Sequence, residues 1–205
     1  MTGLKICGMR SVDDLEACRG ADYLGFVVLS DSPRCLELDH ARDLMSVCEG
    51  RRVAVTTERR PEVLKSMVRT LDPDVLQLHS PLDRTLLSEM AGIGVPLWGM
   101  LPVRPGTEVD MPSLPHLSAL VLDSPGPRAG GNGRTHDWSL SRALRDMVAP
   151  LPVVLAGGLT AENVHRAIEV VQPSVIDVSS GAEANGRKDP CILMRIIEAI
   201  RGAQE

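Results

Sequence analysis

The chain has 205 residues, 43% hydrophobic and 24% charged, with a formal net charge of −5. One Phe, one Tyr and two Trp are too few for the stacking surfaces of single-stranded nucleic acid binders, so no nucleic acid partner is expected. No apolar run approaches the roughly 20 residues of a membrane span, and the N-terminus lacks a signal-peptide pattern. We therefore expect a cytoplasmic protein with no membrane partner.

Eight short runs rich in apolar and β-branched residues are predicted to form strands. They cover residues 4–9, 23–29, 51–57, 75–79, 96–103, 117–124, 152–158 and 175–181. Runs such as YLGFVVL and LSALVLD are almost continuously apolar, which is typical of parallel strands covered on both faces.

Helical patterns separate most of these strands. Helices are predicted over 11–20, 38–49, 60–71, 81–92, 136–149, 161–172 and 191–201. Residues 104–116 contain three prolines, so a long loop or one short helical turn is expected there in place of a regular fifth helix. Residues 124–136 are rich in Gly and Pro and predict a second long loop after the sixth strand.

This alternation predicts an α/β protein, a single (β/α)8 TIM barrel domain spanning 1–205 with an irregular fifth helix. An open doubly wound sheet is the competing architecture, but eight strands with about one helix each favour closure, which leaves no edge strand. In a barrel the functional residues belong at the carboxyl ends of the strands.

Glycines follow the seventh and eighth strands, as AGGL and SSG. Either alone reads as a tight turn, but the two together occupy the places where barrels often bind phosphate, since glycine lets an anion approach backbone N–H groups. Gly157, Gly158, Ser180 and Gly181 are therefore predicted to bind a phosphorylated substrate.

Two strand ends carry groups suited to proton transfer. Asp123 follows an apolar run, where desolvation would raise its pKa and suit a general acid, although a capping or turn aspartate is an equal reading. Cys7 could be a nucleophile, a base or a small core residue. Lys5 shares a strand face with Cys7, and Asp177, also assigned to substrate binding, is expected to pair with Lys5 because the first and last strands of a barrel are neighbours.

Arg34 follows Pro33 and could hold a carboxylate through its fork-shaped guanidinium, or could be a solvated loop residue. His79 could ligate a metal, but no second histidine ends a strand, so no metal site is expected. The five cysteines are an odd number with no CxxC pair, and disulfides are not expected.

Several blocks in order resemble the phosphoribosylanthranilate isomerase family. They are KICGMR at 5–10, GADYLGFV at 20–27, SPR at 32–34, LQLHS at 76–80, LDS at 122–124, GGNGRTHDW at 130–138, LAGGLTAENV at 155–164, DVSSGAE at 177–183 and GRKD at 186–189. Each block is weak alone, but the ordered set is specific and covers nearly the whole chain.

The resemblance implies a tryptophan-biosynthesis enzyme that performs an Amadori rearrangement without a cofactor. By motif, Asp123 would be the general acid that protonates the ribose ring oxygen, and Cys7 the general base that removes the C2′ proton. Arg34 would hold the anthranilate carboxylate. The phosphate would lie against the four residues of the seventh and eighth loops.

The chain departs from the family pattern at a few places, including Met9-Arg10, Ser80 and Asn132. None is a proton-transfer residue, so we expect effects on affinity and rate rather than on reaction type. The alternatives are another phosphate-binding barrel enzyme, such as indole-glycerol-phosphate synthase, and a barrel kept as a low-activity binding or complex-forming subunit. The oligomeric state is open between monomer and homodimer.

Overall fold

Eight parallel strands form the centre of the molecule. In the computed structural model, which describes residues 1–125 and 135–204, they are β1 Gly3–Cys7, β2 Tyr23–Val28, β3 Arg51–Thr56, β4 Val75–Pro81, β5 Leu97–Pro102, β6 Ala119–Asp123, β7 Val153–Leu155 and β8 Val175–Val178. Each predicted strand is present, mostly one to three residues shorter at an end.

The sheet is closed, because each strand pairs with the next along the chain and β1 also pairs with β8. Lys5 lies opposite Tyr23 on one side and opposite Asp177 on the other, while Cys7 lies opposite Gly25. The predicted (β/α)8 barrel is confirmed, and the open-sheet alternative is wrong.

The described residues contain seven α-helices, six of which connect successive strands while the seventh follows β8. They are α1 Val12–Ala17, α2 Leu38–Ser46, α3 Pro61–Leu71, α4 Arg84–Glu89, α5 Trp138–Val148, α6 Val164–Val171 and α7 Pro190–Gly202. A 3-10 helix, Met111–His116, takes the place of a helix between β5 and β6, as the prolines predicted. The N-caps are mostly short polar side chains; Asp189, for example, accepts hydrogen bonds from Cys191 N and Ile192 N.

Three segments of the described chain differ from the simple alternation. A two-residue strand, Cys35–Leu36, pairs in parallel with β2 outside the closed ring of eight strands. Helix α6 begins at Val164, three residues later than predicted, because the side chain of Asn163 is used in the loop before it. A short hairpin pairs 183–184 with 187–188 between β8 and α7. Of the predicted loop 124–136, residues 126–134, which include Asn132, lie outside the described residues.

Strand alternation divides the buried side chains into two layers. The larger apolar cluster lies between the sheet and the helices, and a smaller one fills the barrel lumen. The lumen cluster includes Val53, Val75, Val121 and Val154, and Cys7 packs against it. Because Lys5, Gln77, His79, Asp123 and Asp177 share the inward parity of their strands, their side chains also point into the lumen.

All five cysteines are free thiols. Within the described residues, no helix has both the length and the apolar character that crossing a bilayer demands.

Candidate active site

One pocket opens at the carboxyl ends of the strands, and all eight residues predicted to form the site line it. They are Cys7, Arg34, Asp123, Gly157, Gly158, Asp177, Ser180 and Gly181. They reach it from five different strand ends or loops, which sequence separation alone would not bring together. Their individual roles stay predictions, but their convergence in one place is a property of the structure.

A buried ion pair lies at the floor of this pocket. Lys5 Nζ is 2.7 Å from Asp177 Oδ2, and Lys5 is fully buried. Burial lowers the pKa of Lys5, but the charges and hydrogen bonds of Asp177 and Cys7 together outweigh it and raise the pKa above its ordinary value, so the ammonium keeps its proton. The pairing expected from barrel closure is therefore observed.

The Cys7 thiol stands one layer above Lys5. Burial raises the pKa of Cys7 above its ordinary value; Lys5 lowers it, Asp177 raises it again, and the balance is a rise. Gly25 faces this pair across the strands, where an added Cβ would come within 2.9 Å of Cys7 Sγ and 3.2 Å of Lys5 Nζ. The missing side chain at Gly25 therefore leaves the space that the Cys7 thiol and the Lys5 ammonium occupy.

Asp123 ends β6 on the opposite wall and is 8% exposed. Burial raises the pKa of its carboxyl to about 6, while a hydrogen bond from Ser124 N to Oδ1, at 2.7 Å, acts in the opposite direction. His79 Nε2 lies 3.5 Å from Asp123 Oδ2, and His79 Nδ1 lies 3.4 Å from Gln77 Nε2. Burial lowers the pKa of His79, so the imidazole is neutral near pH 7. Because the Gln77 amide N–H faces Nδ1, that nitrogen is the acceptor, and the single ring hydrogen of His79 is on Nε2, which faces Asp123.

The residue after Asp123 is anchored by a histidine that the sequence reading had not singled out. Ser124 Oγ lies 3.0 Å from His136 Nδ1, and His136 Nε2 lies 2.5 Å from Ser141 Oγ on helix α5. The end of β6 is thereby fixed to the start of the helix that follows it.

The two glycine loops meet at the rim. Gly157 and Gly158 both have positive φ, at 89° and 65°. Asn163 holds this turn, since its Oδ1 accepts from Thr160 N at 2.9 Å and its Nδ2 donates to Gly158 O at 3.0 Å. A Cβ at Gly181 would overlap the carbonyl of Leu159, so the two loops are in direct backbone contact. Such a turn exposes N–H groups to an anion.

Arg34 reaches the pocket over Gly8. Gly8 has φ 92°, and an added Cβ would overlap Arg34 Cδ, so the space beside this glycine is occupied by the arginine. Arg34 is therefore not the freely solvated loop residue of the alternative interpretation. Its guanidinium is paired on one edge, where Nε donates to Glu183 Oε1 and Nη2 donates to Glu183 Oε2, both at 2.8 Å.

Glu183 and Lys188 are residues that sequence reasoning missed. Burial would raise the pKa of Glu183, but Arg34 and Lys188 hold it at about 2. Lys188 Nζ donates to Glu183 Oε1, Cys7 O and Ser179 O, at 3.0, 2.7 and 3.0 Å. Both residues lie in the motifs DVSSGAE and GRKD, which was the available signal, but the hairpin that joins them has no strand-like pattern.

The Met9-Arg10 departure also has a structural account. Met9 is completely buried in the core. Arg10 N donates to Asp14 Oδ2 at 2.9 Å, and its guanidinium donates to the carbonyl of Gly186 in the hairpin. Asp14 Oδ1 in turn accepts from Lys188 N at 3.2 Å. The segment therefore connects the loop after β1 to the hairpin after β8.

Across residues 1–125 and 135–204, no group of three or more His, Cys, Asp or Glu side chains has the arrangement of a metal site.

Comparison with known proteins identifies the family. The family model for N-(5'phosphoribosyl)anthranilate (PRA) isomerase matches residues 4–199. N-(5'-phosphoribosyl)anthranilate isomerases from Methanothrix thermoacetophila and Rhodopseudomonas palustris are 38% and 37% identical, over 100% and 98% of this chain and 100% and 97% of theirs.

Solved structures agree. Phosphoribosyl anthranilate isomerase from Thermotoga maritima is 31% identical, covers 98% of this chain and 100% of its own, and superposes with a TM-score of 0.82. An isomerase solved in complex with reduced 1-(o-carboxyphenylamino)-1-deoxyribulose 5-phosphate is 29% identical over 98% of this chain and 100% of its own, with a TM-score of 0.78. The chain therefore belongs to the phosphoribosylanthranilate isomerase family.

Proposed function

We propose that this protein converts N-(5-phosphoribosyl)anthranilate into 1-(2-carboxyphenylamino)-1-deoxyribulose 5-phosphate, an Amadori rearrangement in tryptophan biosynthesis. The observation that carries the proposal is the placement of a carboxyl group, a thiol, an arginine and two glycine loops around one pocket. Membership of the isomerase family supports it.

Asp123 is the proposed general acid. Protonating the ribose ring oxygen breaks its bond to C1′, and the nitrogen lone pair forms the C=N bond of a Schiff base. A carboxyl group whose pKa is about 6 keeps a useful fraction of its proton near neutral pH and is still acidic enough to give it away. Ser124 N donates to one carboxyl oxygen and fixes its position, and the His79 ring lies 3.5 Å from the other.

Cys7 is the proposed general base. Its thiolate takes the C2′ proton of the protonated Schiff base, the electrons of the C–H bond form a C1′–C2′ double bond, and the π electrons of the C=N bond return to nitrogen, which gives an enolamine. This enolamine loses its O2′ proton and gains a proton at C1′, which gives the ketone of the product. Lys5 lies close enough to stabilise the thiolate, although Asp177 moderates its effect. The reaction is an isomerisation, so no electrons are gained or lost, and no cofactor is required by this chemistry.

The remaining residues bind the two ends of the substrate. Arg34 is proposed to hold the anthranilate carboxylate, and Gly157, Gly158, Ser180 and Gly181 the phosphate. Asp177 and Gln77 are also among the pocket residues, and one side-chain oxygen of each, Asp177 Oδ1 and Gln77 Oε1, is buried with no hydrogen-bond donor in the described part of the chain.

The proposal is tested by generating phosphoribosylanthranilate in place and following the loss of its fluorescence. Turnover by the wild-type protein is expected. If a protein whose fold is verified by circular dichroism shows no turnover, the proposal is wrong. We further propose a cytoplasmic location, which suits five free thiols, and a monomer or homodimer, which light scattering would distinguish from larger assemblies.

A further inference from the structure

Arg34 enters the pocket with part of its hydrogen-bonding capacity already used. A guanidinium has five N–H donors. Glu183 takes one from Nε and one from Nη2, and no other described residue accepts from this side chain. The edge formed by Nη1 and the remaining Nη2 hydrogen is left for a ligand, and Arg34 lines the pocket.

The position of Glu183 is fixed in turn by Lys188. Lys188 has a fully buried side chain and donates to Glu183 Oε1. Its other two donors go to the carbonyls of Cys7 and Ser179, at the ends of β1 and β8. Through Lys188, the Glu183 carboxylate that binds Arg34 is therefore linked to the ends of the two strands that carry the proposed base and the proposed phosphate loop.

We infer that Glu183 is a positioning residue for substrate recognition. It binds the Nε–Nη2 edge of the Arg34 guanidinium, so that the Nη1–Nη2 edge meets the aromatic carboxylate in a fixed orientation. The inference rests on the proposed function. Two cations and one anion leave a single positive charge at this end of the pocket, which matches one carboxylate. Without Glu183, the Arg34 side chain would lose its conformational freedom only when the substrate binds. This entropy cost would lower the affinity by up to about tenfold.

The test is a double-mutant cycle on Glu183→Gln and Arg34→Ala, with the reduced product analogue, reduced 1-(o-carboxyphenylamino)-1-deoxyribulose 5-phosphate, as the probe. The dissociation constant from calorimetry is expected to rise about tenfold in Glu183→Gln. In the Arg34→Ala background the same change should add less than about twofold, because Glu183 acts through Arg34. The kcat of Glu183→Gln should stay within about threefold of the wild type, since the proton-transfer groups remain in place.

Equal loss of affinity in both backgrounds would overturn the inference, because it would indicate a general structural role; so would unchanged affinity in both. Glu169→Gln is the control, because Glu169 forms an exposed ion pair with Arg166 on α6 outside the pocket and should bind the probe like the wild type. If Glu183→Gln does not fold, Glu183→Asp is measured in the same cycle. Binding is read without turnover, so an inactive wild type that binds the probe would count against the proposed function alone.

Discussion

Lys5 and Asp177 face each other across β1 and β8 at the floor of the proposed active site, with Nζ 2.7 Å from Oδ2. Both side chains are buried, at 0% and 7% exposure. Removing one partner of such a pair leaves the other as an uncompensated buried charge, which costs far more than removing both.

We therefore expect Lys5→Met to lower the free energy of unfolding by about 3–5 kcal/mol, and Lys5→Met with Asp177→Asn to lower it by much less. Urea unfolding at pH 7.5 measures both. Equal losses in the single and double variants would show that the charge left on Asp177 is not the cause. Arg166→Met, which removes an exposed pair on α6, should cost less than about 1 kcal/mol.

Replacing the proposed base tests the role of Cys7. We expect Cys7→Ala to lower kcat about 10²–10⁴-fold with KM nearly unchanged, because the residue acts on the C2′ proton and not on the charged ends of the substrate. Steady-state kinetics by fluorescence decide the matter. Cys191→Ala, which removes an exposed thiol at the start of α7, is the matched control and should behave like the wild type. An unchanged kcat for Cys7→Ala would reject the base assignment.

Asp123 links catalysis to stability. Its folded-state pKa is about 6 against an ordinary 3.8, so the folded protein binds the extra proton between these values and loses stability as the pH rises through about 6. Asp123→Asn has no such titration. Its stability relative to the wild type should therefore increase by roughly 2–3 kcal/mol between pH 4 and pH 8, while its kcat falls about 10²–10⁴-fold.

Denaturant unfolding at the two pH values gives the first quantity and fluorescence kinetics the second. Asp146→Asn on the exposed face of α5 should show neither effect. A relative stability that does not change with pH would mean that Asp123 titrates as an ordinary carboxyl group.

The pH dependence of kcat/KM should have an unusual form, because kcat/KM reports the ionisation of the free enzyme. The pKa of the proposed acid Asp123 is about 6, and that of the proposed base Cys7 lies above its ordinary value of 9.0, so the active pair of protonated carboxyl and thiolate is a minor species at every pH. We expect kcat/KM to fall about tenfold per unit below pH 6, where the thiolate fraction falls while the carboxyl stays protonated. Between the two pKa values it should form a plateau. A maximum confined to one pH unit near 7 would contradict these environments.

Gly25 provides a steric test of the same layer. Gly25→Ala would bring a methyl group to 2.9 Å from Cys7 Sγ and 3.1 Å from Cys7 Cα. We expect a loss of about 1–3 kcal/mol from overpacking, together with a lower kcat because the thiol must move. Gly202→Ala, whose added Cβ would find its nearest neighbour at 3.8 Å, is the control. Thermal melts and kinetics on both variants measure the difference.

Barrel closure explains why so much of the site could be predicted. Once eight strands were assigned, the carboxyl ends of all of them had to meet, and this alone brings Cys7, Asp123 and Gly157 to one place. The Lys5–Asp177 pair follows from the same argument, since only in a closed sheet do the first and last strands become neighbours.

The environment of Arg34 could not be predicted in this way. Glu183 and Lys188 lie in a two-residue hairpin, where no hydrophobic period marks the structure, and which side chain an arginine meets depends on loop geometry. The course of the arginine over Gly8 likewise depends on loop geometry. The rise in the pKa of Cys7 could not be predicted either. Its largest cause is burial of the thiol, and the sequence indicates which charges are near Cys7 but not how deeply the thiol is buried.

The pairing of β1 with β8 has a consequence for folding. Lys5 meets Asp177 and Cys7 O meets Ser179 across 172 positions of chain, and Lys188 Nζ meets Cys7 O across 181. These contacts therefore carry the largest loop-closure entropy in the site and are expected to form late. An intermediate that has stacked its middle strands and helices can already be helical and collapsed while Lys5 still lacks Asp177, and Cys7 still lacks the glycine loop and Lys188. After dilution from denaturant, enzymatic turnover would then recover more slowly than the helical circular dichroism signal, and the delay between the two would measure the rate at which the barrel closes.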